Sequence, residues 1–152
     1  MTGIRDFDFL FGRWRVQHRR LRRRGSGSTE WDEYLGSVET RPLLNGRCNI
    51  EEHQIAGTDA SGIALRTFDN ALNRWSIYWV SERDGLLQPS VTGGFSGRLG
   101  RFEGDDFDGN RPVRVRFIWD RSDVRSPRWS QSFSYDGGVS WELNWTMQFE
   151  RS

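Results

Sequence analysis

The chain has two histidines, His18 and His53, and histidine is the side chain whose ordinary charge change falls near neutral pH. His18 sits in the alternation Trp14, Val16, His18 against Arg15, Gln17, Arg19, which puts it on the apolar side of a strand. There it reads first as a satisfied interior histidine and second as the leading acid–base candidate. Glu52 and Glu142 are the carboxylates that would join it if burial raised them into a useful range. A metal site needs more ligands than His53 finds nearby in Glu51 and Glu52, so neither a metal nor another cofactor is expected. Gln131 shares a face with Trp129 and Phe133, and a polar side chain on an apolar face needs a partner, either a neighbouring strand or a bound molecule. There is no glycine-rich phosphate loop, no Ser/Cys–His triad and no His-Glu-X-X-His motif. Two kinds of chemistry fit: anchoring a small ligand, or cofactor-independent proton transfer of the isomerase or cyclase type on a small lipophilic substrate.

The elements that would position these residues are strands. After Gly12 the hydrophobic period becomes two, and it returns over residues 30–40, 47–55, 63–69, 74–80, 89–96, 99–107, 113–120, 128–135 and 141–149. Loops and turns are marked by the Gly/Ser run 25–29, Asn45-Gly46, the segment 57–62, Asp84-Gly85, Asp108-Gly109 and Asp136-Gly137-Gly138. Gly93-Gly94 suggests a bulge or a close backbone approach. About ten short strands at even spacing read as one all-β domain over residues 1–152. Closure into an antiparallel up-and-down barrel removes two unpaired edges. In residues 4–11, Ile4, Phe7, Leu10 and Phe11 make a short helical face that would cap the barrel.

Composition narrows the partners. With 22 Lys+Arg against 21 Asp+Glu the net charge is +1, which favours neither nucleic acid nor an acidic surface. All the Lys+Arg positions are arginine, as in proteins of GC-rich bacterial genomes. The basic run 18–24 enters a loop and is offset by acidic residues at 30–33 and 103–108, so no nucleic-acid partner is expected. One cysteine, Cys48, allows no internal disulfide. No secretory signal or membrane-spanning apolar run is read, and a cytoplasmic location with no membrane partner is expected.

Gly12-Arg13-Trp14, placed at the start of the first strand, resembles the Gly-X-Trp signature of the lipocalins and their calycin relatives. In those barrels the tryptophan closes the floor and a basic residue from the end of the last strand packs on it; Arg151 holds that place here. Phe7-Asp8-Phe9-Leu10-Phe11-Gly12-Arg13-Trp14, Trp75-Ser76-Ile77-Tyr78-Trp79 and Trp141-Glu142-Leu143-Asn144-Trp145 extend the resemblance over nearly the whole chain, to a bacterial family of lipocalin-like barrels with no settled activity. The resemblance implies a fold and transfers no catalytic residue. Nitrobindins, haem-binding members of this barrel class, take an axial histidine from a late strand; no histidine follows His53 here, so haem is not expected. Residues 134–141 match the Ser-X-Asp-X-Gly-X-X-Trp box of sialidases, whose aspartate ties a tight hairpin.

These readings give a lipocalin-like container for a small hydrophobic or aromatic molecule, held among Trp75, Trp79, Trp119, Trp129 and Trp145 with Gln131 and His18 as polar anchors. Tyr34, Tyr78 and Ile118 fall on the opposite parity and would form an outward apolar face suited to a homodimer. Trp14 should lie at the closed end under Phe7, Leu10 and Phe11, with Arg151 against its ring.

Overall fold

The computed structural model describes residues 3–57 and 60–152; positions 58 and 59 of the loop expected at 57–62 lie outside the described residues. Ten strands form: β1 (Gly12–Leu21), β2 (Trp31–Leu43), β3 (Cys48–Gln54), β4 (Gly62–Asp69), β5 (Arg74–Ser81), β6 (Val91–Ser96), β7 (Leu99–Asp108), β8 (Arg111–Asp120), β9 (Arg128–Ser134) and β10 (Glu142–Arg151). Each pairs antiparallel with the next, and β10 pairs with β1 to close the barrel. Among the described residues no helix is long and apolar enough to cross a membrane.

Alternation fills the interior. Trp14, Val16 and His18 of β1, Val113, Val115 and Trp119 of β8, and Trp129 and Phe133 of β9 are buried, while Arg13, Arg15, Gln17 and Arg19 of β1 face solvent. In β6 a side chain at Gly93 would run into the backbone carbonyl of Arg101, so glycine there lets β6 and β7 approach closely.

The N-terminal segment is not a helical cap. It runs through i→i+3 bonds, Asp6 N–H to Gly3 O, Asp8 N–H to Arg5 O and Leu10 N–H to Phe7 O, and only Asp8–Leu10 is a 3₁₀ turn. A segment this short cannot offset the nucleation cost of an α-helix, and the tighter turn aims Phe7 and Leu10 together into the core. Both are buried, at 1% and 0% exposure.

This segment still closes the floor over Trp14. The Trp14 indole donates to Leu10 O at 2.8 Å, and Arg151, its cross-strand partner, sets its guanidinium carbon 3.8 Å from the Trp14 ring centroid. The same guanidinium donates to Phe11 O at 2.6 Å and Phe9 O at 3.2 Å. Gly12 beside it has φ +116°, a backbone conformation that residues with a side chain rarely adopt, which gives the glycine of the Gly-X-Trp pattern a conformational cause here.

Two parity readings are corrected. In β10 the register slips between Leu143 and Trp145, so Asn144 and Trp145 both point inward and Leu143 is exposed. A bulge adds one residue and inverts the alternation before it; Trp141 accordingly lies outside, with Arg116 over its ring at 3.8 Å. In β2, Tyr34 is inward rather than outward: it pairs with His18 and stacks on its ring at 5.0 Å. The inward positions of β2 are Tyr34, Gly36, Val38 and Thr40, while Leu35 is exposed, so hydrophobicity alone misassigns the face. Tyr78 and Ile118 are half-buried on β5 and β8, which are separated by β6 and β7 and so do not share one outward patch.

Candidate functional site

A cavity of about 100 Å³ lies inside the barrel above the floor. Its walls are Trp79, Trp119, Trp129 and Trp145 with Phe117, Phe133 and Met147, and Gln131 also faces it. The indoles of Trp129 and Trp145 meet edge to face at 5.6 Å. Trp75 lies deeper, against Phe7 at 5.0 Å and Phe68 at 5.2 Å, so it builds the floor and not the wall. β5 and β6 pair only from Trp75 to Ile77. Beyond that point a loop fills the gap, with Gln88 N–H donating to Trp79 O at 2.8 Å, and Gln88 and Pro89 reach the cavity. A second hollow of about 190 Å³ continues from Trp79, Gln131 and Trp145 to Arg20 and Arg24 at the rim.

One wall is polar, and it is made by residues that alternation places inside β2, β3 and β4. The Glu51 carboxylate accepts from Arg66 Nη2 at 2.8 Å and Thr40 Oγ1 at 3.3 Å on one oxygen. Its other oxygen bonds His53 Nε2 at 2.6 Å. Arg66 Nη1 donates to Asn49 Oδ1 at 2.8 Å, and its guanidinium lies 4.7 Å from the Phe7 ring and 5.4 Å from the Trp119 ring. All five polar residues are at most 2% exposed. Burial resists ionisation of Glu51, but the Arg66 and His53 charges and hydrogen bonds outweigh it and hold the carboxyl well below its usual range. An ionised carboxylate only accepts, so His53 Nε2 carries a proton and, in the neutral ring, Nδ1 is the open acceptor. Arg66 Nε, Trp119 Nε1 and His53 Nδ1 are buried without a hydrogen-bond partner among the described residues.

His18 is buried, as its parity requires, but it stands behind the wall. Its Nδ1 accepts from Trp145 Nε1 at 3.0 Å, so the proton is on Nε2. Burial first, then the neighbouring His53 and Arg20, lower its pKa to about 3. That leaves His18 neutral and its basic nitrogen occupied, a poor proton carrier. Glu52 is exposed on the outer face of β3. Glu142 accepts from Gly25 N–H at 2.8 Å and is not on the cavity wall. The acid–base residues of the interior are instead His53 and Glu51. Gln131 donates to Asn144 Oδ1 at 2.8 Å, a partner that the bulge brings inward. Arg66, Asn49 and Thr40 carried no motif; the signal available in the sequence was polar residues at inward parity on three consecutive strands.

Outside the cavity, Arg19 pairs with Glu33, Arg22 with Glu30 and Asp32, and Arg24 with Asp108, so three of the five arginines of the basic run are paired locally. Among the described residues no group of three or more His, Cys, Asp and Glu side chains is placed to hold a metal ion. The molecule is thus a closed ten-stranded antiparallel barrel around an aromatic cavity with the buried Glu51–Arg66 pair on one wall. No protein-family profile matches the chain, and no curated protein matches it significantly.

Proposed function

We infer that the barrel is a container for a small, largely aromatic or apolar molecule. The observation that carries this reading is the cavity bounded by four indoles, with a few polar residues, Glu51, His53 and Arg66 on one wall and Gln131 on another, among its lining. Binding pockets have this make-up, with apolar walls for affinity and a few polar groups for orientation. A cavity of about 150 Å³ lined by aliphatic and aromatic side chains holds benzene, so the inner space of about 100 Å³ takes part of a single-ring molecule, and the rest extends into the rim hollow of about 190 Å³. Titration of intrinsic tryptophan fluorescence with a library of small hydrophobic compounds tests it, alongside native mass spectrometry of protein purified from its own host. A specific fluorescence change, or an added mass that survives purification, is expected. A barrel that takes up nothing from the library and carries no added mass would refute the container reading.

A second reading is a cofactor-independent enzyme acting on a lipophilic substrate. It is favoured by His53, a lining residue whose Nε2 is held by Glu51 at 2.6 Å while its other nitrogen has no hydrogen-bond partner among the described residues, the arrangement of a base fixed by an orienting carboxylate. In this reading His53 moves the proton and Glu51 sets the tautomer. A His53→Gln variant that binds the same compounds but loses all turnover of them is the expected result; unchanged turnover would end it.

A further inference from the structure

Three unpartnered buried atoms on residues that line the cavity describe the ligand more closely: Arg66 Nε and His53 Nδ1 on the polar wall and Trp119 Nε1 on β8. Leaving a buried polar group unsatisfied is costly, and a bound molecule could meet these three, whereas His18 Nε2 and Asn144 Nδ2, also unpartnered among the described residues, belong to residues off the lining. Arg66 Nε and Trp119 Nε1 are donors in any state. His53 Nδ1 accepts when the ring is neutral and donates when it is protonated. A neutral carboxylic acid offers an acceptor carbonyl to the first two and a donor hydroxyl to the third. A carboxylate with protonated His53 makes the same three contacts with the proton moved across.

We propose that the cavity takes a small carboxylic acid, its apolar body between Trp79, Trp129 and Trp145 and its carboxyl group among Arg66 Nε, Trp119 Nε1 and His53 Nδ1. The proposal rests on the container reading and names its ligand class. A ketone would leave His53 Nδ1 unmet, and a hydrocarbon would leave all three atoms unmet. A primary amide could meet the three contacts, and charge decides against it. Arg20 and Arg23 stand at the rim beyond the pairs that neutralise Arg22 and Arg24, and such a rim draws anions toward the mouth.

The test is calorimetric titration of the intact protein with benzoate, phenylacetate, benzamide and toluene at pH 7. Expected is a preference of about tenfold for the two acids over benzamide and toluene. Trp119→Phe keeps the ring and removes the donor; it should lower benzoate affinity about tenfold and leave toluene unchanged. Benzamide or toluene binding as tightly as benzoate would overturn the proposal and leave the container standing. If none of the four binds, the container reading falls with it.

Discussion

His18 and His53 carry their proton on the same nitrogen and differ in what the other nitrogen meets. The Nδ1 lone pair of His18 is taken by Trp145, whereas that of His53, a residue of the cavity lining, has no hydrogen-bond partner among the described residues. This makes His18 a pH liability. Its folded pKa, about 3, lies below the ordinary 6.5, so the unfolded chain binds the proton first and stability is lost as pH falls from 6.5 toward 3. The expected loss from this group is about 2 kcal/mol at pH 5 relative to pH 7. Glu51 acts in a lower window, since its depressed pKa withdraws stability only below the ordinary carboxyl value of 4.5. Urea unfolding of the parent and of His18→Gln, whose amide oxygen can still accept from Trp145, checks the assignment. The variant should show a flatter profile between pH 7 and pH 5; an identical slope would mean that His18 is not the group responsible.

At the scale of elements, closure depends on the two chain ends meeting. Trp14 is fully buried and joins the N-terminal turn to the last strand, so Trp14→Ala should cost about 3–5 kcal/mol. Arg151→Ala should cost about 0.5–1 kcal/mol, because a guanidinium on an indole contributes that much at an exposed site. Paired thermal or urea denaturation distinguishes the two, and a Trp14→Ala protein as stable as its parent would show that the floor does not hold the barrel. The β9–β10 hairpin has its own fastening. Asp136 accepts from Val139 N–H at 3.1 Å and Ser140 N–H at 2.9 Å and bonds Ser134 Oγ at 2.8 Å. Asp136→Ala should speed amide exchange at Val139 and Ser140 and leave the floor residues protected.

For the whole molecule, a ligand held only by the folded barrel stabilises it by mass action, by about 2.7 kcal/mol at a hundred times its Kd. For a domain of this size that raises Tm by about 5–10 °C, a shift that scanning fluorimetry with benzoate would read; saturating benzoate with no shift would contradict binding to the native state. Much of this architecture was legible in the chain. Strand alternation, turn residues and the spacing of apolar positions are local, and they sufficed for ten strands, the inward indoles and the meeting of Trp14 with Arg151. Local pattern failed where one extra residue or one mixed strand changed a face: Asn144 came inward through a bulge, Tyr34 stood inward on a strand whose leucine is outside, and residues 4–11 tightened into turns too short to be a helix. The polar wall was decided by tertiary structure alone. Glu51, Arg66, Asn49 and Thr40 come from three strands whose registers superpose them, and a buried arginine is tolerated only when a carboxylate from another strand reaches it. Which of two histidines has a nitrogen left for chemistry depends on a tryptophan 127 residues away in sequence, and only the closed barrel brings that indole to His18.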